Sequence, residues 1–234
     1  GYNRSSRPVE PARYKASELI GDLVSLIEQL GGGKAYLVAH DWGGALAWGL
    51  ACARPDLLHK LVILNAPHPV PFARALRENE EQRAASQYMN WLRRPGSETL
   101  LAADNFSRLD GFFQRESKTA WFDGAIRDRY HEAWSQPGAL TGGVNYYRAS
   151  SLHPPTEEDL GVARLQLNDA DFRVRVPTLV IWADEDSALR PVLLDGLEHL
   201  VDELRIERLS NASHWLIHEQ PEQICAWIQE FFAH

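Results

Sequence analysis

The sequence is short of sulfur-containing residues. Only two of its 234 residues are cysteine, Cys52 and Cys225, and only one is methionine, Met89. Two cysteines make no disulfide framework, which is typical of a protein from a reducing compartment. Because Met89 is the single methionine, we expect that Gly1 is not the start of a complete translation product. We expect the chain to be processed, cleaved or a fragment of a longer polypeptide.

Long apolar runs and runs of basic residues are also missing. No apolar stretch approaches 18 residues and no signal peptide is recognisable, so the sequence predicts a soluble, cytoplasmic protein without a membrane partner. The net charge of −8 is spread along the chain, which argues against nucleic acid as a partner. No cofactor motif is present, and His214 and His218 lack the glutamate of a zinc-binding H-E-x-x-H segment. We therefore expect neither a cofactor nor a metal.

The apolar pattern predicts an α/β fold. Short apolar runs predict buried strands at residues 35–39, 61–64, 178–182 and 204–209, and periodic segments predict helices at residues 12–30, 45–53, 190–200 and 221–232. Strand, helix and strand in this order are typical of a parallel sheet. Residues 70–170 differ, because they are helical, polar and rich in aromatic side chains. We divide the chain into a first core part (1–66), a helical cap (67–172) and a second core part (173–234).

The turn after the first strand carries the strongest chemical signal. Ala39-His40-Asp41-Trp42-Gly43 has the small-x-nucleophile-x-small form of a nucleophile elbow, the sharp strand-to-helix turn otherwise written G-x-S-x-G. Crowding in that turn predicts small residues at its outer positions, Ala39 and Gly43. The central Asp41 would project above the sheet, near a helix N-terminus that can stabilise an oxyanion. The alternative is an aspartate that only caps the helix.

Two later strand ends favour the catalytic interpretation. Asp186 follows the strand predicted at 178–182, and His214 follows the strand predicted at 204–209. Taken singly, an acidic loop is usually solvated and a lone histidine is usually structural. Nucleophile, acid and histidine in this order, each just past a strand, form the arrangement of a hydrolytic triad. The sequence therefore predicts a triad of Asp41, Asp186 and His214.

Five segments resemble the epoxide hydrolase branch of the α/β-hydrolases. They are GYNRSSRP near the start, HDWGGALAW at the elbow, LNAPHP after the second strand, GGVNYYRAS in the cap, and the late SHW. The resemblance implies an α/β-hydrolase fold with a mostly parallel sheet and an inserted helical lid. It also implies a small apolar epoxide and water as substrates, with oligomeric state left undecided.

Residue roles follow from the same resemblance. Asp41 would be the nucleophile, His214 the base and Asp186 the acid, whereas Asn65 occupies a position that some dehalogenases use for their acid. The two lid tyrosines that hydrogen-bond the epoxide oxygen would be Tyr147 and Tyr88. The candidates for further oxyanion or substrate contacts are His40, Trp42, Trp91 and Tyr146, of which Trp91 and Tyr146 are also close alternatives to the two tyrosines.

The resemblance leaves two alternatives and one gap. A hydrolytic haloalkane or haloacetate dehalogenase would use the same Asp41, with Trp42 as a halide ligand, and a non-catalytic binding protein could retain the fold. The family's first strands and its His-Gly-x-Pro loop, which supplies a second oxyanion N–H, are absent from the sequence. We expect this part to come from a missing segment or another chain, and we expect the sheet to have one uncovered edge.

Overall fold

Four parallel strands form the centre of the molecule. The computed structural model describes residues 1–31, 33–115 and 117–234. Within these ranges the strands lie in the spatial order β1-β2-β3-β4, and each neighbouring pair is parallel. Their bounds are β1 Ala35–His40, β2 Leu58–Leu64, β3 Thr178–Ala183 and β4 Leu204–Leu209. The prediction of four strands is confirmed, although β3 is fully and β2 largely buried whereas β1 and β4 are partly exposed. The carboxyl ends of the strands meet at one edge of the sheet, where open α/β sheets place their ligand sites.

Helices flank the sheet and fill the long connection between β2 and β3. Their bounds are α1 Ala16–Gly31, α2 Asp41–Ala53, α3 Pro69–Glu78, α4 Glu80–Ala85, α5 Gln87–Arg93, α6 Ser97–Gln114, α7 Gly124–Ser135, α8 Ala139–Ala149, α9 Leu216–Glu219 and α10 Pro221–Ala233. Helices α3 to α8 all lie between β2 and β3, as expected for a helical insertion. In the described part of the chain, no helix is both long and apolar enough to cross a membrane.

The helix predicted at residues 190–200 is wrong. The segment forms two short 3-10 helices, Pro191–Leu194 and Leu197–His199. Gly196 separates them with φ +79°, in the left-handed region that interrupts a right-handed helix. The helix predicted at 12–30 is likewise divided, because Lys15 is extended between a 3-10 helix at Pro11–Tyr14 and α1.

The core lies on both faces of the sheet. Alternate β2 residues point to opposite sides: Leu61 and Ile63 pack in one cluster with Trp48 of α2, whereas Val62 and Leu64 pack in the other with α9 and α10. Such burial on both faces explains why these strands are continuous apolar runs without polar alternation.

The outer side of β1 is the open edge of the sheet. Among the described residues no strand pairs with it. Its side chains Tyr36 and Val38 are 53% and 44% exposed, and Leu30 at the end of α1 is also exposed. The prediction of an uncovered edge is confirmed for the part of the chain that the structure describes.

An internal break shapes helix α6. Asp104, Asn105 and Phe106 have φ values of 50°, 52° and 63°, in the left-handed region that costs a residue with a side chain roughly 1–2 kcal/mol. The Phe106 ring packs against His131 and Trp134 of α7. The break therefore lets α6 change direction while Phe106 ties it to α7.

A buried histidine fixes the start of α3. His68 Nδ1 accepts a hydrogen bond from the Val70 backbone N–H at 3.3 Å, and its Nε2 donates to the Phe172 carbonyl at 2.9 Å. The ring is therefore neutral. Burial lowers the pKa of His68 to about 4.

His68 should make stability depend on pH. An unfolded histidine binds a proton below about pH 6.5, whereas folded His68 stays neutral down to about pH 4. The unfolded state binds more protons in this window, so stability falls as the pH is lowered. Between about pH 7.5 and about pH 4.5 this residue should remove about 2.5 kcal/mol from the free energy of unfolding. Urea denaturation of the wild type and of His68→Gln measures the difference, with exposed His199→Gln as control. Equal pH slopes in wild type and His68→Gln would contradict the assignment.

Candidate active site

Asp41 occupies a strained turn between β1 and α2. Its φ is +51°, which is rare for a residue with a side chain. His40, not Asp41, is the N-cap residue of α2, and it makes no side-chain cap. The Asp41 carboxylate instead receives hydrogen bonds from His214 and from the Trp42 backbone N–H. The Asp41 carboxylate therefore contacts His214 as well as the first turn of α2.

The crowding in this turn lies one residue later than predicted. A Cβ on Gly43 would meet no atom of the described residues within 4 Å. A Cβ on Gly44 would lie 2.3 Å from the Cβ of Ala66 and 3.5 Å from the Ala39 carbonyl oxygen. The close approach of α2 to the end of β2 therefore requires a glycine at position 44.

His214 lies between two carboxylates. Its Nδ1 is 2.7 Å from Asp186 Oδ2, and its Nε2 is 3.3 Å from Asp41 Oδ1. Asp186 is fully buried and His214 is 9% exposed. The three residues predicted as a triad, which follow β1, β3 and β4, are thus brought together at one edge of the sheet.

The pKa values of Asp41 and His214 depend on burial and on the charges of their neighbours. Burial acts to raise the pKa of Asp41, but the hydrogen bond and charge of His214 outweigh it and lower the pKa to about 2. Burial acts to lower the pKa of His214, but Asp186 and Asp41 raise it well above the usual value. At neutral pH the group therefore combines an ionised Asp41 with an imidazole that its neighbours hold in the charged form.

His40 contacts both the backbone and the ring of His214. Its Nε2 lies 2.9 Å from the His214 carbonyl oxygen, and the two rings are 4.7 Å apart. Burial, together with the charge of His214, lowers the pKa of His40 to about 4, so the ring is neutral and donates to that carbonyl. His40 lines neither of the cavities next to Asp41. The predicted contact of His40 with substrate stays a prediction.

Two tyrosines of the helical insertion face Asp41. Tyr88 on α5 and Tyr147 on α8 have ring centroids 6.0 Å apart, and both line the same two cavities as Asp41. The Trp42 indole lies edge-on to Tyr147 at 5.2 Å and hydrogen-bonds it. Burial, with electrostatic repulsion from Tyr88 and Asp41, raises the pKa of Tyr147 well above its usual value. The phenol is therefore neutral and can donate a hydrogen bond.

The two alternatives to these tyrosines lie elsewhere. Trp91 on α5 packs against the small apolar cluster of Leu92, Leu101 and Val144. The Tyr146 ring contacts the rings of Tyr2, Tyr14 and Trp42. Neither lines one of the two cavities beside Asp41, and their contacts with substrate stay predictions.

The cavities on either side of Asp41 differ in size. The larger is about 590 Å³ and the smaller about 80 Å³. Besides Tyr88 and Tyr147, the aromatic side chains that line the larger cavity are Tyr2, Phe112, Phe113, Tyr130, Trp134 and Trp215. Apart from Asp41 and His214, no acidic, basic or histidine side chain of the described residues lines either cavity. In the described ranges, no group of three or more His, Cys, Asp or Glu residues is placed to hold a metal ion.

Comparison with known proteins decides the family. Residues 1–221 match the family described as the alpha/beta hydrolase fold. The chain belongs to this family. The AB hydrolase superfamily protein YfhM of Bacillus subtilis is 33% identical over 99% of this α/β-hydrolase and 77% of its own length. Epoxide hydrolase 4 of Mus musculus is 29% identical over 99% of the chain and 63% of its own length. The chain thus spans less than two thirds of the mouse relative.

A solved epoxide hydrolase has a similar structure. It is a variant from Bacillus megaterium in complex with its naphthyloxy-propanediol product, 30% identical, with a TM-score of 0.88 over 100% of this α/β-hydrolase and 81% of that chain. The similarity extends through the helical insertion as well as the sheet, because the whole chain is covered. The predicted resemblance to epoxide hydrolases is confirmed.

Asn65 belongs to the site in a way that sequence reasoning missed. Its Nδ2 donates to Asp186 Oδ2 at 2.8 Å, and its Oδ1 accepts from the Ala183 N–H at 2.7 Å. Asp186 Oδ1 accepts the backbone N–H groups of Ala188 and Leu189 at 2.9 Å each. This α/β-hydrolase therefore fixes both oxygens of Asp186. The position of Asn65 directly after β2, at the same sheet edge, was the available signal.

Proposed function

We propose that this protein opens epoxides to vicinal diols through a covalent ester on Asp41. The observation that carries the proposal is that two phenols, Tyr88 and Tyr147, line both of the cavities that the Asp41 carboxylate lines. An epoxide needs a carboxylate at carbon and an acid at oxygen in the same step. A halide leaving group needs only weak N–H donors and would have no use for the two phenols. Residues 67–172 would then act as the cap that supplies these phenols, and residues 1–66 and 173–234 as the core.

The first step is attack on an epoxide carbon. A carboxylate oxygen of Asp41 forms a bond to that carbon while the carbon–oxygen bond breaks and its electron pair passes to the epoxide oxygen. The Tyr147 phenol, with Tyr88 as second donor, transfers or shares a proton with this developing alkoxide. The low pKa of Asp41 keeps the nucleophile ionised at all pH values above about 3.

The second step is hydrolysis of the ester. Once Asp41 is esterified, one of the two carboxylates that hold the charge on His214 is neutral, so the pKa of His214 falls and its proton passes to the phenolate left by the first step. The neutral imidazole takes a proton from water, and the resulting hydroxide attacks the Asp41 carbonyl carbon. The proton of the added hydroxyl group passes to the oxygen of the departing diol, Asp41 returns to a carboxylate, and His214 keeps the proton that it took from water, which restores the resting state. Asp186 stabilises the imidazolium at 2.7 Å throughout.

The cavity walls favour a neutral substrate with an aryl group. The larger cavity presents aromatic rings, including Phe113 and Trp134, and the smaller one has room only for a small substituent. The Bacillus megaterium relative has a naphthyloxy-propanediol as its product. We therefore choose styrene oxide and an aryl glycidyl ether as test substrates, with a bromoalkane beside them. Turnover of the epoxides without halide release supports the proposal, and the reverse would favour a dehalogenase.

Removal of both phenols should abolish epoxide opening. Each Tyr→Phe change deletes one donor at a developing charge, which typically costs about 2.7–4 kcal/mol, or a hundredfold or more in rate. Tyr88→Phe and Tyr147→Phe should each slow the single-turnover formation of the ester, and the double variant should lose nearly all of it. Tyr146→Phe is the matched control, because its ring lies outside both cavities. Near-normal epoxide turnover in the double variant would remove the main reason for preferring epoxides to haloalkanes.

A further inference from the structure

The last residue of α5 binds the end of α8. Arg93 Nη1 donates to the carbonyl oxygens of Tyr147, Arg148 and Ser150, the last two at 3.3 and 2.7 Å. Its Nη2 pairs with Asp159 Oδ2 at 2.6 Å. These carbonyls are at the C-terminus of α8, where backbone acceptors have no partner within the helix. A guanidinium with five donors in a rigid plane can hold several of them at once.

The reverse contact is made by the other helix. Arg148, near the end of α8, donates from Nη2 to the Arg94 carbonyl at 3.0 Å and from Nε to the Arg93 carbonyl at 3.4 Å. Its Nη2 pairs with Glu98 Oε2 at 2.6 Å. Each arginine therefore binds the C-terminal carbonyls of the helix that carries the other one.

The two helices are the ones that carry the two phenols. Tyr88 is on α5 and Tyr147 on α8, and the Tyr147 carbonyl is itself an acceptor of Arg93. A seven-residue helix such as α5 is too short to be stable or precisely placed by its own backbone hydrogen bonds. The positive charges also lie at the negative ends of both helix dipoles. The contact therefore fixes the ends of α5 and α8 relative to each other.

The arginines do not reach the substrate space. Arg93 and Arg148 are 18% and 17% exposed, and neither they nor Asp159 and Glu98 line a cavity. The hydrogen bond from Arg148 lowers the pKa of Glu98, which keeps that carboxylate ionised as its partner. These residues can therefore affect the reaction only indirectly, by changing the positions of the Tyr88 and Tyr147 phenols.

We propose that Arg93 and Arg148 are positioning residues that set the separation of Tyr88 and Tyr147, and thereby the donation of both phenols to one epoxide oxygen. The inference rests on the proposed function, and it assigns the arginines to the first step alone. Asp41, Asp186 and His214 are on the sheet edge and do not depend on this contact. The hydrolysis of an ester already formed on Asp41 should therefore be unaffected.

Arg93→Lys and Arg148→Lys test the proposal. Lysine keeps the charge but loses the planar fork, so single-turnover ester formation with styrene oxide should slow about 10- to 100-fold, as expected for a small displacement of reacting groups. Hydrolysis of the ester should keep its wild-type rate. Arg94→Lys is the matched control, because that side chain is exposed and adjacent in sequence. Glu98→Gln, which retains both arginines but weakens the hold on Arg148, should slow ester formation by a smaller factor.

A readout independent of turnover separates the two proposals. With fluorotyrosine at position 147, the fluorine resonance and its titration should change in Arg148→Lys and Arg93→Lys but not in Arg94→Lys. If the wild type does not open epoxides, the proposed function falls while this measurement still tests the contact. If the wild type opens epoxides and the lysine variants form ester at the wild-type rate with an unchanged resonance, the positioning role is overturned. Equal slowing of ester formation and hydrolysis would also overturn it, because that pattern indicates a general structural defect.

Discussion

Asp41→Ala abolishes epoxide turnover, by at least about 10⁴-fold, if the ester mechanism operates. Among the described residues, the substitution removes the one carboxylate that lines the two cavities together with the two phenols. Alanine has no oxygen with which to attack the epoxide carbon, and it leaves His214 without its second carboxylate. Asp184→Ala is the matched control, since Asp184 lies in the loop after β3 but pairs with Arg208 at the surface. Steady-state diol formation from styrene oxide measures both variants.

Isotope labelling identifies the attacking atom. In heavy-oxygen water the hydrolytic oxygen enters the Asp41 carboxylate, so the diol from the first turnover should carry no label. Repeated cycles should then place the label in the peptide that contains Asp41. A labelled diol on the first turnover would mean direct attack by water, and the assignment of Asp41 as nucleophile would be wrong.

His214→Gln should separate the two half-reactions. Ester formation needs only an ionised Asp41 and the phenols, whereas ester hydrolysis needs a base for water. Loss of a general base typically costs about 10²- to 10⁴-fold, so the ester should accumulate. Mass spectrometry of the intact protein should then find a chain heavier by one substrate molecule.

His218→Gln is the control for this experiment. His218 stacks on Trp121 at 4.0 Å and lines neither cavity, so its substitution should produce no adduct. The same adduct should accumulate in the wild type at acidic pH, because protonated His214 cannot act as a base while Asp41, with its pKa of about 2, is still ionised. A His214→Gln variant that forms no adduct would show that His214 is required for the first step.

The positions of the residues that follow the strands could be predicted from the sequence, for a physical reason. Parallel strands bring their carboxyl ends to one edge, so residues that directly follow β1, β3 and β4 meet there although they are far apart in the chain. The positions of Asp41, Asp186 and His214 could be predicted from this rule. Their catalytic roles remain predictions until the variants are measured.

The features that the sequence alone could not supply depend on packing between distant parts of the chain. The choice of Tyr88 over Trp91 and of Tyr147 over Tyr146 rested on resemblance, because helical spacing does not tell which side of α5 or α8 faces the core. The need for a glycine at position 44 arises from the approach of Ala66, which is distant in sequence. The left-handed residues of α6 and the contact between Arg93 and Arg148 likewise have no local pattern that predicts them.

The position of the helical insertion has a consequence during protein synthesis. β2 ends at Leu64 and its neighbour β3 begins at Thr178, so 113 residues separate two strands that lie side by side. At about 5–20 residues per second, a ribosome needs roughly 6 to 20 seconds to make that segment. Throughout this interval Val62, Ile63 and Leu64 have no β3 to pair with, and their apolar side chains are only partly covered. The insertion therefore imposes a delay on translation-coupled folding, during which the strand edge of β2 is available to other nascent chains and to chaperones.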